Sequence, residues 1–250
     1  MLFDQIYLYD KDRAFNDIIK FYNNNWYCII NFLYFWNVIW QKILKKNKSY
    51  IQKKYLEALK HSDFLLPDWI AVKLFMQKQF CSVVHNLNWT DFIPYFFQNL
   101  NDLDADVFLY WADKDVIPKA KNFLKETFWI NVLHFQDWYS QMNLSNFSQN
   151  KGKMKVLLVG RGTPLQEIWI YENLDFFKKN WFVVFGVGGL FDFWWWKEKR
   201  SPLFFRKLKI EWLYRLFTNP KKNWKKVYNS LFLIKYLVKS LDDKTLEQLK

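Results

Sequence analysis

Short, uninterrupted apolar runs alternate along this chain with longer stretches whose apolar residues recur at helical spacing. Ala14 to Phe21 predicts a short N-terminal helix. Cys28 to Phe35 (Cys-Ile-Ile-Asn-Phe-Leu-Tyr-Phe) is apolar but for one asparagine and predicts a buried strand. A helical stretch after Asn37 runs to Leu59, with Tyr55, Leu56 and Leu59 on one face. Phe64-Leu65-Leu66 predicts a strand stopped by Pro67-Asp68, and Ile70 to Gln79 a helix. Val83-Val84 reads as a further short strand, and Thr90 to Leu100 as a helix capped by Thr90 or Asp91. Strand Val107 to Tyr110, helix Val116 to Thr127 and strand Ile130 to Phe135 continue the alternation. After a polar loop, Asn143 to Gly152, come strand Met154 to Val159, helix Leu165 to Asn173 and strand Phe182 to Phe185. Such alternation implies an α/β, Rossmann-like, mostly parallel sheet with helices on both faces.

Past Ser201 the pattern is helical only. Lys221 to Ser240 places Trp224, Val227, Tyr228, Leu231, Ile234, Leu237 and Val238 on one stripe, with lysines beside it. We therefore divide the chain into a core, residues 1–200, and a basic helical C-terminal appendage, residues 201–250. Charge sharpens that division. The chain carries +13 overall, and Lys197 to Lys250 alone holds 15 basic and 5 acidic residues. A basic, aromatic, amphipathic tail fits an anionic partner: a membrane surface, a phosphorylated lipid or nucleic acid.

An apolar content of 51% excludes a disordered chain. Cys28 and Cys81 have no metal-ligand spacing and read as reduced thiols of a cytosolic protein. Met1-Leu2-Phe3-Asp4-Gln5 lacks the layout of a signal peptide, and no apolar run reaches the length of a membrane span.

The candidate chemistry lies between Lys155 and Trp224. Strand Met154 to Val159 meets Gly160-Arg161-Gly162, then Thr163-Pro164-Leu165-Gln166. Thr163 suits a cap, Pro164 the first helical position and Gln166 the reciprocal partner of a capping box. A helix so started aims unpaired N–H groups past the strand end, where a phosphate or diphosphate would sit. Strand Phe182 to Phe185 followed by Gly186-Val187-Gly188-Gly189 repeats the arrangement.

Four motifs in this stretch resemble the WecG/TagA/CpsF family of bacterial glycosyltransferases. They are Gly160-Arg161-Gly162-Thr163-Pro164-Leu165-Gln166-Glu167-Ile168-Trp169-Ile170, Gly186-Val187-Gly188-Gly189-Leu190-Phe191-Asp192-Phe193, Lys199-Arg200-Ser201-Pro202 and Glu211-Trp212-Leu213-Tyr214-Arg215-Leu216. The resemblance implies an inverting, metal-independent transferase that moves a sugar from a UDP-sugar to a polyprenyl-diphosphate-linked saccharide. N-acetylmannosamine is the first expectation for that sugar. It further implies no bound cofactor, a peripheral position on the inner membrane face, and donor contacts from Gly160, Gly162, Pro164, Gln166, Glu167, Gly186, Gly188, Gly189 and Asp192. Self-association is left open.

Phe64-Leu65-Leu66-Pro67-Asp68 resembles the family's L-P-D-G segment, whose aspartate is its general base. Asp68 just past a strand end faces the crevice where open α/β sheets take ligands, though a helix-capping aspartate fits the same position. Thr90 and Asp91 resemble the family's G-[TR]-D, and Asn37 its sugar-side asparagine; Asn86 stands where an arginine often precedes. Arg200, Arg215, Lys222 and Lys225 match basic positions that would hold the acceptor diphosphate. Asp104-Ala105-Asp106 precedes a strand instead of following one and reads as a solvated turn, not a metal motif. His61, His85 and His134 read as structural, and no metal site is expected.

Two other classes fit parts of the chain: a nucleic-acid-binding module, for which no motif is present, and an inactive UDP-sugar-binding membrane scaffold. One oddity cuts across all of them. Fifteen tryptophans stand against six glycines, where glycine ordinarily makes up about 7% of residues. Trp69, Trp89, Trp111, Trp138, and Trp195 or Trp196 occupy turns where the family or the local pattern has glycine. Either these turns have adapted to tryptophan, or UGA codons read as glycine in the native organism stand here as tryptophan.

Overall fold

In the computed structural model, residues 2–34, 49–68, 70–100, 105–110, 115–137 and 153–194 are described, with isolated positions between 202 and 220. Strands β1 (Cys28–Tyr34), β2 (Phe64–Asp68), β3 (Ala105–Tyr110), β4 (Val132–Gln136), β5 (Met154–Val159) and β6 (Phe182–Gly186) form one sheet. Its order is β2-β1-β6-β5-β3-β4, and every pairing is parallel. Helices α1 (Lys11–Asn25), α2 (Tyr50–Lys60), α3 (Ile70–Phe80), α4 (Trp89–Asn99), α5 (Ile117–Phe128), α6 (Leu165–Glu172), α7 (Leu174–Lys179) and α8 (Leu190–Trp194) pack around it.

Both faces of the sheet are covered, which is why β1, β5 and β6 are apolar at consecutive positions instead of alternating. On one face, Ile30, Phe32, Val156, Leu158, Val183 and Phe185 meet residues of α1, α4 and α5 such as Ile18, Phe96 and Leu124. On the other, Ile29, Leu157, Val159 and Val184 pack against Ile170 of α6 and Phe177 of α7. Leu33 and Leu65 extend that second face under Tyr55 and Leu59 of α2 and Phe75 of α3. The α/β, parallel reading of the sequence is therefore the observed fold.

Several local expectations change. β2 runs on through Pro67 and Asp68, in register with Leu33 and Tyr34. Proline is tolerated there because β2 ends the strand order, and among the described residues its outer side makes one bridge, Ile6 to Leu65. Val83-Val84 forms no strand; residues 81–88 are irregular, and Val84 is buried beside the α2 and α3 side chains. Val84 gains from that burial, whereas Val83 is 63% exposed, and strand propensity alone does not make a strand of them. α1 is longer than predicted because Asp10 caps it, accepting from the Arg13 N–H at 2.9 Å. α4 is capped by Asn88, not by Thr90 or Asp91: the Asn88 Oδ1 accepts from the Asp91 N–H at 3.0 Å. Asp106 is no solvated turn. It lies within β3, is 7% exposed and stands in register with Lys155 of β5.

Among the described residues no helix is long and apolar enough to cross a membrane. The Asn143–Gly152 loop and the Lys221–Ser240 helix fall outside the described residues.

Candidate active site at the C-terminal edge of the sheet

Parallel strands deliver all their C-terminal ends to one edge, and this edge gathers the residues singled out above. Asp68 closes β2 beside Tyr34 of β1, and Gly186 closes β6 beside Val159 of β5. Gly160 continues β5, its N–H donating to the Tyr110 carbonyl of β3 at 2.9 Å. Asp68 is 8% exposed, so its carboxyl sits in the protein wall of the edge and not out in solvent. The two glycine loops lie against each other. A Cβ on Gly160 would come within 2.5 Å of the Phe191 ring on α8. One on Gly186 would come within 2.6 Å of the Asn31 Oδ1 and 3.1 Å of the Gln166 Nε2. Only glycine allows that approach.

A buried amide ties the loops together. The Gln166 Oε1 accepts from the Gly162 N–H at 3.1 Å and from the Gly188 N–H at 2.9 Å. Its Nε2 donates to the Glu167 Oε1 at 3.1 Å, and the Thr163 hydroxyl donates to that same oxygen at 2.7 Å. Thr163 and Gln166 thus form no capping box; Pro164 starts α6 without a side-chain cap. Their polar atoms are spent on Glu167 and on the neighbouring loop. Glu167 is fully buried, and that burial pushes its carboxyl up to about 7 against the pull of its hydrogen bonds. Among the described residues, the Asn31 Oδ1, the Tyr55 hydroxyl and the Glu167 Oε2 are buried without a hydrogen-bond partner. Asn31 is held from its other end, its Nδ2 donating to the Ser62 hydroxyl at 2.9 Å.

The sequence model of the glycosyl transferase WecG/TagA/CpsF family matches residues 47–245. The chain belongs to this family. It is similar to a Bacillus subtilis N-acetylglucosaminyldiphosphoundecaprenol N-acetyl-beta-D-mannosaminyltransferase, 29% identical over 70% of this chain and 68% of that protein. A Staphylococcus aureus protein of the same name is 25% identical over 72% of this chain and 70% of that one. This WecG/TagA/CpsF member is accordingly a glycosyltransferase, and its motifs can be placed on the fold.

The family's glycine motifs supply the paired loops, with Gly162 and Gly188 both at positive φ. Asp192 lies on α8, its N–H donating to the Gly189 carbonyl at 3.2 Å. Thr90 and Asp91 sit in the first turn of α4, where Trp89 packs its ring 5.4 Å from that of Phe193 on α8. α4 thereby meets the second glycine loop's helix. Asn37, Arg200, Arg215, Lys222 and Lys225 lie outside the described residues. Asp106 stands at the opposite, N-terminal edge of the sheet, away from this site. The rings of His61 and Tyr171 lie 4.7 Å apart at a tilt of 43°. Among the described residues no three His, Cys, Asp or Glu side chains converge as a metal-binding group.

Two members of the buried cluster, Asn31 and Tyr55, were not among the sequence candidates. Asn31 had a legible signal, as the one polar residue inside the apolar run of β1. Tyr55 had none, because its ring lies on the apolar face of α2 like any core aromatic.

Proposed function

We propose that the enzyme transfers N-acetylmannosamine from a UDP-sugar to an N-acetylglucosaminyl-diphosphate polyprenol, with inversion and without a metal ion. The observation that carries this reading is the buried Asp68 carboxyl on the same sheet edge as the two tied glycine loops. The names of the relatives supply the sugar and the acceptor. Asp68 would take the proton of the acceptor hydroxyl as its oxygen attacks the anomeric carbon; the bond to UDP breaks on the opposite side. The position of Asp106 at the far edge speaks against its use in holding the diphosphate through a metal.

The loops serve this chemistry in a modified way. The N–H groups of Gly160, Gly162 and Gly188 are committed within the protein, so these glycines shape the wall of the donor crevice more than they bind phosphate. Arg200 at the end of the core and the appendage residues Arg215, Lys222 and Lys225 would hold the acceptor diphosphate at an anionic membrane surface.

A transfer assay with several UDP-sugars against a short-chain GlcNAc-diphosphate lipid tests the reading. Turnover with UDP-N-acetylmannosamine above all others is expected. Turnover only with another sugar corrects the donor, and UDP-sugar binding without any transfer would establish the inactive scaffold instead. Removing residues 206–250 should abolish use of the lipid acceptor and release the protein from anionic vesicles, and vesicle binding of the full chain should weaken as salt rises. A truncated chain that still sediments with vesicles would show that the anchor lies elsewhere.

A further inference from the structure

The buried acid beside the loops has a role that its hydrogen bonds define. We propose that Glu167 is a positioning residue, acting as a neutral acid that orients the Gln166 amide and so fixes the spacing of the two glycine loops. This rests on the loops lining the donor crevice. The Glu167 Oε1 accepts from the Thr163 hydroxyl and the Gln166 Nε2. Because the Nε2 is committed there, the amide oxygen must face Gly162 and Gly188, whose N–H groups it accepts. The second oxygen, Oε2, is buried without a partner, as is the Tyr55 hydroxyl of α2. A carboxylate with one bare oxygen in a dry wall costs far more than a carboxylic acid in the same place. Burial raises both groups, the Tyr55 phenol also by the proximity of Glu167. Among the described residues no charged group shifts Glu167: Thr163 and Gln166 lie beside it, and Asn31 and Gly186 beyond Gln166 on the sheet. The Lys54–Glu172 ion pair joins α2 to α6 at their surface.

Glu167→Gln separates this role from a merely structural one. Between about pH 4.5 and pH 7 the folded chain holds a proton that the unfolded chain has released, so the wild type loses stability as pH rises through that window. Urea unfolding of Glu167→Gln should lack that part of the slope. Above about pH 7 the wild-type acid ionises, and its donor KM should climb by roughly tenfold per pH unit until the loops have parted; that of Glu167→Gln should stay level. Identical unfolding slopes overturn the neutral acid whatever the crevice binds. Parallel KM profiles beside different slopes overturn the link to the loops. If instead UDP fails to bind the wild type at every pH, while the unfolding slopes differ as expected, it is the donor reading that fails.

The backbone carries a second inference, independent of any activity. Among the described residues, four that are not glycine have positive φ: Trp26 at 64°, Cys81 at 51°, Trp129 at 59° and Trp181 at 64°. Three of the four are tryptophan, in a chain with 15 tryptophans among 250 residues. Trp26 and Trp129 end α1 and α5 in the left-handed conformation, each N–H returning to a carbonyl four residues back. Trp181 follows α7 just before β6. That is where helices take glycine, since a Cβ there meets its own carbonyl. Packing does not account for the choice at Trp129, whose side chain is 91% exposed. Trp26 is 53% exposed and lies 5.0 Å from the ring of Trp181, itself at the surface.

The geometry points to glycine at positions 26, 129 and 181 of the protein as its own cell makes it, through a codon decoded there as glycine. Other tryptophans belong where they stand. Trp169 packs on Tyr110 and Phe177, and Trp194 stacks on Phe123. Trp89 begins α4 without positive φ, so its backbone does not mark it; Trp69, Trp111, Trp138, Trp195 and Trp196 fall outside the described residues. Peptide mass spectrometry of the native protein should find glycine at 26, 129 and 181 and tryptophan at 169 and 194. Tryptophan at all five overturns the inference. In the chain as written, Trp26→Gly, Trp129→Gly and Trp181→Gly together should raise Tm by on the order of 10 °C; a lower Tm would show that tryptophan is native to these caps.

Discussion

At the N-terminal edge of the sheet, Asp106 and Lys155 stand side by side in β3 and β5, and the Lys155 ammonium donates to the Asn180 carbonyl. At the same edge, ahead of β2, the Asp63 carboxylate accepts from the Ile29 N–H at 2.7 Å. At the C-terminal edge the buried polar groups are different in kind. Gln166 and Glu167 are anchored, yet the Glu167 Oε2 and the Asn31 Oδ1 are left over. One edge spends its polar atoms on closing the fold. The other fixes them in place and keeps some in reserve, as a site must if it is preorganised for a ligand that brings its own charge.

Asp68→Asn against Asp106→Asn breaks the comparison most sharply. The first should cut transfer at least about a hundredfold while UDP still binds, the typical range for losing a general base. The second should leave turnover per folded molecule unchanged and lower stability. Equal kinetic losses in both would show that the edges do not divide the work in this way, and wild-type turnover in Asp68→Asn would remove that residue from the mechanism.

Lys155→Met comes next. The lysine is 3% exposed; burial lowers its pKa, and Asp106 opposes that shift. Removing the ammonium takes away its bond to the Asn180 carbonyl and the positive charge in register with Asp106, and should cost about 1–3 kcal/mol. Chemical unfolding reads this directly, and a loss under about 1 kcal/mol would mean that water reaches the pair. Gly186→Ala should cost about 1–3 kcal/mol, since its Cβ meets the Asn31 and Gln166 side chains, neither free to swing away. It should also raise the donor KM, which no change at the N-terminal edge should do.

The smallest effect belongs to Asp63. Burial raises its carboxyl to about 6, against the Ile29 N–H and Lys178. Its folded pKa lies above the unfolded value, so it withdraws stability as pH rises from about 4 to about 6. Asp63→Asn should flatten the urea midpoint across that window and leave the donor KM alone. An unaltered pH dependence would show that Asp63 is ionised throughout in the folded chain.

Much of the core was legible because a parallel sheet buried on both faces needs near-continuous apolar strands, and β1, β2, β5 and β6 are written that way. The errors fell where two local rules compete. Val83-Val84 has strand propensity but no neighbour to pair with, and Asn88 outcompetes Thr90 as a cap because its amide also reaches the Asp91 carboxylate at 2.8 Å.

The motifs likewise marked the glycine loops, and the position of Asp68 past an apolar run marked a strand end. What spacing along the chain could not determine is where a side chain spends its hydrogen bonds. Gln166 has the spacing of a capping-box partner, and only the approach of β6 to β5 brings the Gly188 N–H, 22 residues away, within its reach. Asn31, Tyr55 and Glu167 come from β1, α2 and α6, and nothing local in those elements sets their separation. The sequence determined the elements and the chemical types, because both follow from periodicity and residue identity. Tertiary structure decided which polar atoms are satisfied and which are held in reserve, because desolvation and partner geometry exist only once the chain has closed around them.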